Sequence, residues 1–497
     1  MVNTSIFSPK IPTSKEATVL WTGLAGCSDS LVLANAINNE DRLFVIVTPD
    51  NQTALRLEHE LAFFLKGEHA ILHFPDWETL PYDVFSPLPE IISERLKTLT
   101  LLPQIKRGAL VVSVTTLMHR LAPREHVLAN SFAINVGDDF NLELNRIKLE
   151  SVGYQCVSQV YQHAEFAVRG AIVDLFPMGS KVPFRIELFD EEIESIRTFD
   201  PETQRSLEKI ESIQLFPARE FPLTDESIKL FRQAFRNYFP EVSPKNTLYV
   251  DVSKGITPSG IEYYLPLFVD QTATLFDYLP STAIVVSSTN FNTTAVAFYA
   301  EAEERYLQRK YDVNRPLLKP EHLFLSAEDL ALSMRSFAQI SLDNPEAITA
   351  LSDVKVSVAA SSSSVNFDCH QPSELIIDGK LPEPAQALQQ FIAGFEGKIL
   401  FVAESPGRRE ALIDKLRSYK VSVKQVESWP AFLKSEVSPC ILVAPMALGL
   451  WLSNPAIAII TESQLSGEKV KQRRRRRQSA ARELENIVNN LNELSIG

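Results

Sequence analysis

Short apolar runs separated by longer amphipathic stretches set the pattern of the first 125 residues. Ala17–Leu20, Leu43–Val47, Ala70–Phe74 and Ala109–Val114 have the length and purity of strands buried on both faces. Between them the period lengthens. Asn51–Leu65 opens on a polar Asn-Gln-Thr and carries leucines at 55, 57 and 61, and Ile91–Leu102 is likewise amphipathic, so both are predicted helices. Alternation of strand and helix predicts a doubly wound α/β sheet.

From 126 to 212 the period drops to two. A helix at Leu142–Ser151 and a strand at Gly153–Val160 lead into a small antiparallel sheet. In Phe184–Phe189 the residues Phe184, Ile186 and Leu188 point to a core, which leaves Arg185, Glu187 and Phe189 on the opposite face. The preceding strand, Ala167–Phe176, carries Arg169 beside Gly170, and Pro177–Ser180 makes the turn. Residues 213–350 return to helices (Ser227–Tyr238, Asn292–Tyr311) and short strands, with Lys254–Tyr264 as a loop. The run Ser361–Ser364 marks a linker. Beyond it, the apolar runs Lys398–Ala403, Cys440–Ala444 and Ala456–Thr461, with a helix starting near Ser405, predict a second, smaller α/β domain. The expected order is therefore an α/β domain (1–125), a small β domain (126–212), a second α/β part (213–350), a linker (351–374), a small α/β domain (375–465) and a basic tail (466–497).

Composition narrows the function. The 497 residues are 45% hydrophobic and 22% charged, ordinary for a globular protein with about three domains. A net charge of −13 is a poor footprint for a nucleic-acid binder, so any such contact must be local. Four scattered cysteines make neither a disulfide framework nor a zinc signature. No apolar run approaches the ~20 residues that span a bilayer, and the N-terminus lacks the apolar core of a signal peptide. These features point to a cytoplasmic chain.

Five stretches raise questions of chemistry. The loop after the first strand, Thr22, Gly23, Leu24, Ala25, Gly26, Cys27, Ser28, Asp29, Ser30, has the outline of a phosphate-binding loop. It lacks the lysine and places an aspartate where phosphate would be repelled. Whether it is a degenerate nucleotide site or a plain strand-to-helix turn, ATP hydrolysis is not expected. The aromatic, acidic segment Asp76–Pro87 reads as a rigid loop, not a carboxylate pair. Ser405–Arg409 offers a helix N-terminus with two arginines, either an anion site or a solvated cap. In the tail, Arg473, Arg474, Arg475, Arg476 and Arg477 either contact nucleic-acid phosphates or form a solvated linker. The aromatic among arginines on the 184–189 face has the composition of a protein-binding hot spot, against the alternative of an edge strand with one exposed ring.

The strings DWETLPYDVFSP (76–87), RGAIVDLFPMGS (169–180), KGITPSGIEYY (254–264) and ESPGRREAL (404–412) together resemble the N-terminal half of the bacterial transcription-repair coupling factors. The resemblance implies a module similar to the excision-repair protein UvrB over the first ~350 residues, then that family's third domain. It implies a nucleotide loop that has lost its function, and a UvrA-docking surface with Arg169, Arg185 and Phe189 at the matching positions. It makes the basic tail the linker to a domain that engages RNA polymerase. By the same resemblance the ATP- and Mg-dependent translocase domains lie outside these residues. This chain is expected to be an adaptor without catalytic residues, cofactor or metal, with UvrA as partner and DNA contact weak or indirect. Two alternatives remain: a UvrB-like ATPase, or a non-specific DNA-binding module acting through Arg473–Arg477.

Overall fold

Val, Ile, Leu and Phe fill the predicted runs, and they form strands: β2 (Leu43–Thr48) and β4 (Gly108–Ser113) are buried on both faces, whereas β1 (Thr18–Thr22) is fully buried on one face only and β3 (Ala70–Phe74) only at Phe74. The computed structural model describes residues 5–343, 363–372, 375–377 and 382–466, in two units that divide after Asp368. In the first unit, helices follow the strands as the period requires. Ser28–Asn39 follows β1, and Asn51–Leu65 follows β2 with Asp50 as its cap, accepting from the Thr53 amide at 2.7 Å. Pro89–Leu101 precedes β4 and opens on a proline, whose missing N–H costs nothing in the first turn.

The β domain enters between β4 and the rest of this sheet. Its base is the antiparallel pair β5 (Phe132–Asn135) and, after the insert, a strand at Ser212–Leu215. Between them lie the helix Leu142–Ser151 and six strands: β6 (Gln155–Cys156), β7 (Glu165–Arg169), β8 (Ile172–Leu175), β9 (Phe184–Phe189), β10 (Glu192–Phe199) and β11 (Ser206–Ile210). These neighbour one another in chain order, all pairs antiparallel except β6 with β7. With the Ser212–Leu215 strand numbered β12, the domain runs past the expected limit at 212. The strand expected over Gly153–Val160 shrinks to β6, and the rest is a loop. Val173, Leu175, Phe184, Ile186 and Ile196 from its inner face join the same hydrophobic core as Val45, Leu110 and Val112 of the α/β sheet.

The chain then returns to the first sheet through β13 (Ile284–Ser288) and β14 (Ala338–Leu342). A last strand, β15 (Ser363–Asn366), comes from the segment expected to be a linker; its alternating burial and its pairing with β1 place it in the sheet instead. All seven strands run parallel, in the order β15-β1-β14-β13-β2-β4-β3. The loop expected over Lys254–Tyr264 holds only to Gly260, where a 3-10 helix, Ile261–Leu267, begins.

The second unit has its own core around Leu388, Phe401, Leu416, Ile441 and Ile460. Its sheet contains β16 (Cys369–His370), β17 (Lys398–Ala403), β18 (Lys424–Gln425), β19 (Cys440–Val443), β20 (Leu450–Ser453) and β21 (Ala456–Thr461). The order is β16-β20-β21-β17-β19-β18, parallel around β17 and antiparallel on the β20 side. The unit therefore starts inside the expected linker. Among the described residues, no helix is long and apolar enough to cross a membrane.

Candidate functional site

Alternation along β9 sorts its side chains as the pattern requires: Phe184, Ile186 and Leu188 are buried, and Arg185, Glu187 and Phe189 face outward. Phe189 ends the strand, where Asp190, at φ 56°, turns the chain into β10. The ring there is 69% exposed. An aromatic of that size left in water has an unspent hydrophobic contribution of roughly 2 kcal/mol.

The rest of the face is less wet than the sequence suggests. Val160, Ala167, Phe176 and Phe199 form a small second core over its inner end. At the edge of this core sits Asp174 of β8, opposite Ala167 on one side and Arg185 on the other, and only 1% exposed. Arg185 donates to it through Nε at 2.7 Å and Nη2 at 3.0 Å, a two-point contact. Arg169 donates to the same carboxylate through Nη2 at 2.7 Å. Arg185 also reaches the Gln204 carbonyl at 3.1 Å and the Ser206 hydroxyl at 3.3 Å, and its guanidinium lies over the Phe199 ring at 5.1 Å. The bonds to Asp174 raise its pKa further. Its side chain is 16% exposed against 49% for Arg169. The three sequence candidates thus share one face but not one situation. Arg185 is largely enclosed, Arg169 is half in water, and Phe189 is open.

Asp174 was missed by sequence reasoning, although a signal was present. An aspartate within Ile172-Val173-Asp174-Leu175-Phe176 is expensive to bury unless a cation meets it, and arginines lie in both adjacent strands. Glu187, next to Arg185 along the strand, accepts from Ser195 Oγ at 2.6 Å and stands 3.8 Å from Arg197.

The phosphate-loop outline at Thr22, Gly23, Gly26, Cys27 and Ser28 is a closed turn. Gly23 and Gly26 have positive φ, and a β-carbon added at Gly23 would lie 2.0 Å from the side-chain oxygen of Asn366, at the end of β15. Ser28 Oγ accepts from the Ala25 amide at 2.7 Å. The helix N-terminus beyond holds a carboxylate of its own: Asp29 accepts from the Ser30 amide at 2.7 Å and pairs with Arg56 at 2.6 Å. Arg56 also meets the buried Glu60 at 2.8 Å, and burial pushes the Glu60 carboxyl up to about 7. Cys27, which follows Gly26 where the motif has its lysine, is buried, and that burial raises its thiol well above the ordinary value.

The acidic residues of the 76–87 loop serve its shape. Asp76 accepts from Thr116 Oγ1 at 2.9 Å and from the Glu78 amide at 2.8 Å, and Asp83 accepts from the Leu80 amide at 3.2 Å. In the second unit, Ser405 caps its helix by accepting from the Arg408 amide at 3.3 Å. Arg408 pairs with Glu404 at 2.6 Å and Glu462 at 3.0 Å, and Arg409 with Glu410 at 2.8 Å, so both arginines already have carboxylates. Residues Arg473–Arg477 lie outside the described residues. Among the described residues, no group of three or more His, Cys, Asp or Glu is placed to hold a metal.

Two family models match the sequence: the UvrB interaction domain over residues 132–221 and the D3 domain of MFD over residues 391–465. The first covers the inserted β domain, including Arg169, Asp174, Arg185 and Phe189. The chain is 41% identical over 500 residues to the transcription-repair-coupling factor of Haemophilus influenzae, covering 100% of this chain and 42% of that protein. It is 35% identical over 477 residues to the Escherichia coli protein of the same name, covering 95% and 40%. A Staphylococcus aureus relative is 32% identical over 230 residues, 46% of this chain and 20% of its own length. The chain therefore spans about two-fifths of the length of the relatives it matches throughout.

Proposed function

We propose, from the premise that this chain corresponds along its length to the N-terminal part of the transcription-repair-coupling factors, that it is the adaptor part of such a protein. In this reading the outer end of the β9 face docks UvrA and so brings excision repair to a stalled RNA polymerase. The observation that carries it is Phe189, a largely exposed aromatic on the same sheet face as the half-exposed Arg169, inside the segment that matches the UvrB interaction domain. An apolar anchor and a cation on one sheet face have the composition of an interface centre.

The chemistry of this chain is recognition. Its nucleotide loop ends on Cys27 and Asp29, and it takes up neither ATP nor Mg; the ATP-driven step and the contact with RNA polymerase belong to other parts of the longer relatives. DNA binding is weak. The test is direct binding of the purified chain to purified UvrA by calorimetry, with Phe189→Ala and Arg169→Glu alongside. The expected result is binding by the parent and a loss of about 2 kcal/mol or more in each variant, with melting temperatures unchanged. Equal binding by parent and both variants would remove the β9 face from the function.

A further inference from the structure

Resting on the docking reading, we propose that Asp174 is the positioning residue of this face, holding Arg169 in place for an acidic group on the partner, with Arg185 as its buttress. Asp174 contacts no partner in this scheme, since it is buried beneath the two guanidinium groups. Its two oxygens are divided between them. Oδ1 takes Arg185 Nε, and Oδ2 takes both Arg185 Nη2 and Arg169 Nη2.

The two arginines differ in what remains free. Arg185 spends its donors on Asp174, the Gln204 carbonyl and the Ser206 hydroxyl, and its flat side rests toward Phe199. It has little left to offer a partner. Arg169 spends one edge on Asp174, with a longer 3.5 Å approach to Gln204 Oε1, and about half of its side chain remains in water. A long, flexible arginine normally loses rotamer entropy when it is fixed at an interface. Here Asp174 has fixed it beforehand, so a carboxylate arriving at the free edge finds the guanidinium already aimed. The chemistry that fits is a partner surface with an acidic side chain for Arg169 and, separately along the β9 face, an apolar recess that receives Phe189.

Asp174→Asn keeps the volume of the side chain and removes the charge. With Arg169→Gln it completes a double-mutant cycle for UvrA binding. The proposal expects Asp174→Asn alone to weaken UvrA about tenfold, and to have almost no further effect once Arg169 is Gln. A role in general stability alone would instead give the same loss in both backgrounds, and that result overturns the proposal. Thermal melts are recorded for every variant. If Asp174→Asn fails to fold, Asp174→Glu takes its place in the cycle, with the charge kept but displaced by one methylene; the same coupling supports the proposal, and its absence overturns it. Phe189→Ala separates the two levels of inference. If it loses UvrA binding while Asp174 and Arg169 show no coupling, the docking face stands and Asp174 has no positioning role. If Phe189→Ala and Arg169→Gln both bind like the parent, the docking reading fails and this proposal fails with it.

Discussion

Trp77 donates its indole N–H to Glu220 at 2.8 Å, across 143 positions of sequence, from the aromatic loop of the α/β sheet to the exit of the inserted β domain. The same carboxylate accepts from Arg95, a fully buried arginine whose guanidinium also lies over Phe74 at 4.1 Å and reaches the Pro75 carbonyl at 2.7 Å. This one acidic group ties the two parts of the first unit together.

Its removal should be costly. Glu220→Ala leaves the Arg95 charge buried without its counter-ion, and we expect a loss of about 3–5 kcal/mol in urea unfolding. The double variant Glu220→Leu with Arg95→Met should recover most of that loss, because it removes both charges. A single variant as stable as the parent would show that water reaches Arg95.

Glu262 gives a pH signature. Burial lifts its carboxyl to about 7; nearby Glu220 pushes in the same direction, while the hydroxyl of Ser86, at 2.8 Å, and Arg315 oppose it. Its folded pKa lies above its unfolded one, so the stability it contributes is complete at low pH and is lost as pH rises through 7. Glu262→Gln does not titrate. The stability of this variant relative to the parent should therefore improve by roughly 2–3 kcal/mol between pH 4.5 and 8. Denaturant curves at both pH values check it, and a constant difference would contradict the raised pKa.

Gly23 allows a third test. Its φ of +69° strains any residue with a β-carbon, and that carbon would collide with Asn366 Oδ1. Gly23→Ala should lose about 1–3 kcal/mol, and Asn366→Gly in the same chain should return only part, since the backbone strain remains. Full recovery would assign the whole cost to the Asn366 contact.

For DNA, the expectation is weak and salt-sensitive binding carried by Arg473–Arg477. Replacing all five by Gln should flatten the dependence of affinity on salt, measured by fluorescence anisotropy on a duplex. An unchanged slope would place the phosphate contacts elsewhere.

Much of the fold was legible because the period of each segment is strong. Leu43–Val47 and Ala109–Val114 are apolar on both faces and became central strands, and Leu142–Ser151 became a helix with the expected limits. β15 was not legible. Ser363 and Ser364 carry almost no hydrophobic signal, and their strand exists through backbone pairing to β1, a partner more than 300 positions away. The site was half legible for a similar reason. Alternation along β9 places Arg185 and Phe189 outward. It cannot show that Asp174, on another strand, lies beneath Arg185, or that a loop through Val160 roofs the inner end of the face. Those are cross-strand facts, and a one-dimensional pattern contains them only as an aspartate that looks out of place.

The strand order carries a consequence for synthesis. β1 leaves the ribosome before the other strands of its sheet, yet neither of its neighbours is β2; it lies between β14 and β15, whose residues begin at 338 and 363. While β2, β4 and β3 can pair as soon as they emerge, the N-terminal strand has no edge to join until more than 300 further residues have been translated. The β domain, complete by Leu215, can assemble in the meantime. Closing so long a loop is an entropic cost met late, and β1 is meanwhile an unpaired strand available to chaperones or to misassembly.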